Sequence, residues 1–343
     1  MRVLLDTTYA LRGPSGTGVY LQQLTAALRD AGIEVVEAAN EARPAPAGGG
    51  AGSVRNLVFD ARWTQIELPR RAHEARADVL HHPLPALAAR SRVPQVVTVH
   101  DLAFERVPDC FSPAFRRYAS LTHRRAARGA DAVVCVSQTT RRDVLARWGV
   151  DRAKVVVALH GPGQEPRLVA VVRAEHFLYV GDDEPRKNLG LLLDAYARYR
   201  AAAGESNALP LVLAGRAALP AAARQAGVRH ETAPNLTALL NGAAALVHPA
   251  LHEGFGLTAL EAMSAGVPVI AARSPGLAQT VAGAALMIDP LDAGDLASAL
   301  RRVADEPRLR ADLARRGRER AAEFSWAASA RAHITAYTLA ASQ

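Results

Sequence analysis

Two cysteines, Cys110 and Cys135, are all that 343 residues contain. So few argue against a small disulfide-stapled scaffold. Lysine is just as scarce: Lys154 and Lys187 are the only two, so nearly all of the 41 basic residues are arginine. Aromatic residues make up only 5% of the chain. No stretch approaches the ~18 uncharged apolar residues that a bilayer span needs. The N-terminal MRVLLDTTYALRG lacks the apolar block of a secretory leader, so a cytoplasmic location is expected. What is present is an ordinary globular composition, 50% apolar and 22% charged, at a length that suggests two domains. The net charge of +8 comes from arginines scattered along the chain, which reads as compositional bias, and no nucleic-acid partner is expected.

Short apolar runs alternate with helical spacing. A strand at 3–5 precedes a helix over 19–28, with Leu21, Leu24 and Leu28 on one face, and a strand follows at 33–36. Further strands are predicted at 78–81, 93–100, 130–136 and 154–159, with an arginine-rich helix over 113–128. Residues 41–53, EARPAPAGGGAGS, read as a mobile loop, and 160–174 as an interdomain linker. The second series has strands at 177–180, 211–214, 244–247, 267–271 and 286–288. Its helices lie at 189–203, 293–303 and 306–322, and a last helix runs from Trp326 to about Ala341. Such runs suit parallel strands buried on both faces. The expected fold class is therefore α/β, two doubly wound Rossmann-like domains facing across a cleft, whose strand ends bind nucleotides and phosphates.

Gly13-Pro-Ser-Gly-Thr-Gly18 lacks the Lys-Ser/Thr of a Walker loop and the order of a dinucleotide fingerprint. It reads equally as a plain turn or as a loop, with Gly16 and Gly18, leading an anion to a helix N-terminus near Val19. His100 ends a strand, where doubly wound folds place chemistry, although alone it is more simply a histidine bonded to nearby backbone. Arg186 and Lys187 follow a strand and open a helix. Two cations there could meet one diphosphate, the arginine as a fork and the lysine as a point charge. An exposed basic pair is common in an arginine-rich chain, but lysine is almost never used in this one.

The most specific segment runs from His248 to Ile270. Glu253 would lie on a loop, with Gly254 and Gly256 letting backbone come close to a ligand. Amides at Leu257 and Thr258, heading a helix that starts near Thr258, could hold a phosphate. Glu261 in the first turn could accept bonds from vicinal ribose hydroxyls, although Thr258-x-x-Glu261 is equally a capping box. The helix over 113–128 carries Arg117, Arg124, Arg125 and Arg128 close to one face, which is either solvated or suited to an anionic membrane surface.

With these residues in this order, the chain resembles the retaining glycosyltransferases of family 4, whose two-domain fold is called GT-B. Glu253 to Glu261 is similar to that family's Glu-x7-Glu signature, including the Gly-Phe-Gly-Leu and Glu-Ala-Met-x-x-Gly-x-Pro-Val flanks. Pro185-Arg-Lys-Asn-Leu189 resembles its Arg-Lys-Asn-Leu segment. Val99-His-Asp-Leu102, Phe111-Ser-Pro and Arg124-Arg-Ala-Ala-Arg128 resemble the mannosyltransferase-like subgroup.

The resemblance implies an N-terminal acceptor-side domain over 1–165 and a nucleotide-sugar domain over 166–323. It also implies a C-terminal helix, 324–343, that crosses back to the first domain. The implied activity is transfer of a hexose, mannose as a first guess, from a nucleotide diphosphate sugar to an acceptor hydroxyl, with no metal and no cofactor. The acceptor would be a glycan, a lipid-linked sugar or a small molecule, with peripheral contact at the inner face of the membrane.

Arg186 and Lys187 would neutralise the donor diphosphate. Glu253 would contact the donor sugar, and Gly254, Phe255, Gly256, Leu257 and Thr258 would bind the donor. Glu261 would hold the ribose. His100 would touch the sugar or the acceptor, with Gly16 and Gly18 near the acceptor and the diphosphate. The base would be read near Gly215 and 229–235. A non-catalytic sugar-nucleotide-binding protein and a GT-B glycan synthase or phosphorylase are the alternatives. Two segments depart from the family pattern. Ala278-Gln-Thr-Val-Ala-Gly283 stands where Pro-Glu-Val-Val-Gly-Asp is usual, and His160-Gly-Pro-Gly163 where Asn-Gly-Val-Asp is frequent.

Overall fold

The computed structural model describes residues 1–12, 15–42, 51–163, 174–215, 220–232 and 235–343. The expectations for 43–50 and for 164–173 lie outside the described residues. The chain forms two units. Unit 1 is Met1–Leu102, Pro113–Gly163 and Ser325–Gln343; unit 2 is Ala103–Ser112 and Gln164–Phe324.

In unit 1, β1 (Arg2–Asp6), α1 (Gly16–Asp30) and β2 (Glu34–Ala38) come first. Then come α2 (Ala51–Arg62), α3 (Leu68–Glu74), β3 (Val79–His82) and β4 (Gln95–Val99). The chain leaves for unit 2 through α4 (Ala103–Arg106) and returns with α5 (Pro113–Gly129), β5 (Ala132–Cys135), α6 (Gln138–Asp143) and β6 (Val155–Val157). Among the described residues these strands form a six-stranded parallel sheet in the order β2-β1-β3-β4-β5-β6. The apolar runs mark central strands because β3, β4 and β5 are buried at every position.

Two expectations change here. Residues 51–53, read as loop, begin α2. Helix α1 starts three residues before Val19, because the Ser15 hydroxyl accepts from Gly18 N at 3.1 Å and caps it.

Beyond α4, unit 2 continues with β7 (His176–Val180), α7 (Leu189–Ala203), β8 (Leu211–Ala214) and β9 (Val228–Glu231). It continues with α8 (Leu236–Gly242), β10 (Ala243–His248), α9 (Leu257–Ala265) and β11 (Val269–Ala272). It ends with α10 (Pro275–Val281), β12 (Leu286–Ile288), α11 (Ala293–Asp305) and α12 (Pro307–Ala321). Its parallel sheet runs β12-β11-β10-β7-β8-β9. The chain winds outward from β7 to β9, then jumps back to lay β10 on the other side of β7. Direction therefore reverses between β7 and β10, which brings the loops leaving those two strands together at the reversal point.

The last helix, α13 (Trp326–Ala341), belongs to unit 1 and is capped by Ser325. It buries Ser329, Ala330, His333, Ala336, Tyr337 and Ala340, the 3–4 spacing of one helical face. That face carries two polar rings into the core, and their bonding is fully determined. His333 Nδ1 must donate to the Ser329 carbonyl (2.8 Å), which leaves Nε2 to accept from the Tyr20 hydroxyl (2.9 Å). Tyr20 then accepts from Thr98 (2.9 Å), Thr98 from His81 Nε2 (2.8 Å), and His81 Nδ1 from the Tyr337 hydroxyl (2.8 Å). Burial lowers the pKa of both histidines, that of His333 to about 4, so both are neutral, as this order requires. The chain of bonds begins and ends on α13, passing through β3, β4 and α1.

Candidate functional site

At the carboxyl end of β7, Pro185–Lys187 forms a single 3-10 turn closed by Asn188 in the left-handed conformation (φ 60°). Asparagine tolerates that backbone better than most side chains. Its side-chain amide donates to the carbonyls of Pro249 (3.1 Å) and Pro290 (2.8 Å), and Leu251 N donates to Arg186 O (2.9 Å). The β7 and β10 loops are thus laced together at the reversal point of the sheet.

The lacing brings three donors onto one oxygen. Glu253 Oε1 accepts from Lys187 Nζ, from Arg186 Nη1 at 3.4 Å and from His248 Nε2 at 3.3 Å. Burial would raise the Glu253 carboxyl. The Lys187 ammonium, then the His248 bond and the Arg186 guanidinium, overcome it and hold the carboxyl well below the usual carboxylate range. His248 is buried, which lowers its pKa against the pull of Glu253 and leaves a neutral ring donating through Nε2. The result is an ionised carboxylate beside two cations, about one-tenth to one-fifth exposed at the side chains.

Gly254, Phe255 and Gly256 lead from Glu253 into α9. Gly256 is its N-cap at φ 91°, and a Cβ there would stand 2.6 Å from Leu277 Cδ1, so both backbone and space call for glycine. Leu257 and Thr258 supply first-turn amides, which have no intrahelical partners. The capping box is not formed: Gly256 rather than Thr258 holds the N-cap, and no side chain caps it. Glu261 accordingly lies two residues further into the helix than expected, in its second turn. It is buried, and burial pushes its carboxyl up to about 7.

His100, Gly16 and Gly18 belong to unit 1. His100 Nε2 donates to the Pro83 carbonyl at 3.0 Å, so the backbone bond foreseen for it exists and Nδ1 carries the ring's lone pair. Tyr20 packs edge-on against it at 5.0 Å. Gly16 and Gly18 lie in the first turn of α1, with the Gly18 amide taken by Ser15. The expected base-reading region is only partly described; there His230 Nε2 donates to the Gly215 carbonyl at 3.1 Å. His248, Asn188, Gly276 and Thr280 carry the geometry of the site without having been assigned roles from sequence. The short range of His248 from Glu253, five residues away on a strand end, was the available signal for the first of them.

Residues 166–320 match the family described as glycosyl transferases group 1, and residues 14–162 match glycosyltransferase family 4. The chain is 26% identical over 277 residues to O-antigen chain mannosyltransferase B of Escherichia coli, covering 71% of this chain and 70% of that one. It superposes on sucrose-phosphate synthase from Thermosynechococcus elongatus with a TM-score of 0.77 at 19% identity, over 98% of both chains. The Anabaena protein HepE, solved in complex with UDP-glucose, gives a TM-score of 0.70 at 17% identity, over 98% of this chain and 99% of that one. The fold is GT-B.

Proposed function

Because this GT-B chain belongs to glycosyltransferase family 4, we propose that it is a retaining hexosyltransferase that takes its sugar from a nucleotide diphosphate donor, without a divalent metal. The observation that carries this reading is the convergence of Lys187, Arg186 and Glu253 at the reversal point of the unit 2 sheet. Cleaving a sugar–phosphate bond builds negative charge on the departing diphosphate. Two fixed cations stabilise that charge more than they stabilise the intact donor. Glu253, with the backbone of Gly254 to Gly256, serves the sugar hydroxyls, and the amides of Leu257 and Thr258 add donors to phosphate. Glu261 holds the ribose. His100 serves a sugar or acceptor hydroxyl, with Gly16 and Gly18 on the diphosphate side. Mannose is the first candidate sugar, from the Escherichia coli relative, and UDP-glucose the first alternative donor, from the Anabaena protein.

A thermal-shift panel of UDP- and GDP-sugars tests the donor. One of them at 100 times its dissociation constant should add about 2.7 kcal/mol of stability. Transfer should survive EDTA, and the product anomer, read by NMR, should keep the donor's configuration. Silence from every donor would remove the reading.

Glu261 makes donor binding depend on pH. With its carboxyl pushed up to about 7, it becomes the better hydroxyl acceptor only as pH rises past that value. UDP or GDP affinity should therefore strengthen from pH 6 to 8. Glu261→Gln should lose that part of the slope, leaving the nucleotide's own phosphate titration.

Contact with an anionic bilayer is favoured by one face of unit 1. Leu121 (72% exposed), Tyr118 and Phe115 on α5, with Leu57 and Val58 on α2, are large exposed apolar side chains. Asp60 of α2 acts on Tyr118, so the two helices adjoin. Exposed Arg117, Arg124, Arg125 and Arg128 flank the stripe, the pairing of apolar and basic groups that an acidic lipid surface attracts. Sedimentation with phosphatidylglycerol vesicles should be lost on Leu121→Gln with Arg124→Glu, while vesicles of phosphatidylcholine alone should not bind. Equal binding of the variant would end this part of the reading.

A further inference from the structure

The Glu253 loop does not hold itself in place. Helix α10 lies along it and touches its backbone at successive points. A Cβ on Gly276 would overlap the Glu253 carbonyl and stand 2.7 Å from the Gly254 carbonyl, so helix and loop are in direct backbone contact. One turn on, the buried Thr280 hydroxyl donates to the Phe255 carbonyl. Leu277, between them, fills the space beside Gly256. The far end of α10 is held in turn. Arg320 on α12 donates to the carbonyls of Thr280 (3.0 Å) and Gln279 (2.8 Å), and its guanidinium stacks 4.7 Å over the Phe324 ring. Phe324 meets the Phe255 ring edge-on at 5.7 Å.

This stretch is also where the sequence leaves the family pattern. Thr280 stands where that pattern has valine, and its hydroxyl bonds the Phe255 carbonyl. We propose that Thr280, anchored through α10 by Arg320, is a positioning residue that fixes the Glu253–Gly256 backbone and so aims the Glu253 carboxylate at the donor sugar. This rests on the transferase reading above. Phe255 is two residues from Glu253 and one from the Gly256 cap, so rotation of its peptide moves both. Gly276 keeps the approach close enough for the bond to form. Valine matches threonine in volume but lacks the hydroxyl, which isolates the hydrogen bond from packing.

The test compares wild type, Thr280→Val and Thr280→Ser by transfer kinetics and by hydrogen–deuterium exchange. Thr280→Val should lower kcat about 10–100-fold with donor KM changed less than about threefold, the signature of misaimed rather than missing contacts. Amides of residues 253–258 should exchange faster, those of α11 should not, and serine should restore both rate and protection. Unchanged kcat in Thr280→Val, or no rescue by serine, overturns the proposal. If the wild type transfers from no donor, the transferase reading fails. The exchange data still decide whether Thr280 holds the loop: unchanged protection at 253–258 rejects that, and faster exchange rescued by serine upholds it.

Discussion

Lys187→Ala is expected to slow transfer about 10²–10³-fold, the usual cost of removing one preorganised group from a developing anion. The effect is large because Lys187 is one of two cations on the β7 loop, held in a partly dry site where charge interactions are strong. The fold should survive, because Glu253 keeps Arg186 and His248 as partners when Lys187 is gone. Glu253→Gln should lose transfer to a comparable degree through the sugar. The two variants then part on nucleotide binding. Lys187→Ala should weaken UDP or GDP. Glu253→Gln removes a negative charge beside two cations and should leave the affinity unchanged or improved. Steady-state kinetics with calorimetry on both variants checks this; weakened nucleotide binding in Glu253→Gln would reassign the carboxylate.

The largest stability effect is expected at Tyr20. Phenylalanine there leaves His333 Nε2 without a donor and the Thr98 hydroxyl without an acceptor, both fully buried. At about 1–3 kcal/mol for each unsatisfied group, the loss is roughly 2–6 kcal/mol, a large share of the ~5–15 kcal/mol that holds a typical domain. Denaturant unfolding measures it, and a change under about 0.5 kcal/mol would mean that the bonded chain is not the one described.

The same network sets a pH window. The unfolded chain takes up protons at His333 near pH 6.5, while the folded chain resists until about 4. Stability from this residue is therefore present above 6.5 and lost as pH falls toward 4, at most about 3 kcal/mol. His81, also lowered by burial, acts with the same sign. Glu261 acts oppositely: its folded pKa is raised, so the native state holds the extra proton and gains stability as pH falls from about 7 through the ordinary glutamate range. A Glu261→Gln background separates the two.

The strands were legible because parallel strands buried on both faces are short apolar runs, as at Val96–Val99 and Leu211–Ala214. Strand β9 was not: Val-Arg-His-Glu at the sheet edge alternates between half-buried and exposed and has no apolar run to read. The helical run over 51–74 was hidden behind the Pro/Gly/Ala-rich stretch before it. In the candidate site, the residue types were readable and their meeting was not. Lys187 and Glu253 are 66 positions apart, and only the return of β10 to the side of β7 makes them neighbours. A local Thr-x-x-Glu pattern places Glu261 in a first turn. The left-handed backbone at Gly256 moved the cap and overrode it. The contacts of Gly276 and of the Thr280 hydroxyl with the Glu253–Phe255 backbone could not be read locally, since those carbonyls lie more than twenty residues away.

Calorimetric titration of UDP and GDP into the wild-type protein and Lys187→Ala bears most directly on whether the unit 2 cluster grips an activated sugar. Binding of at least one nucleotide by the wild type, weakened about tenfold or more in the variant, is the predicted result. Equal affinities in the two proteins, or no binding by the wild type at millimolar nucleotide, would contradict it.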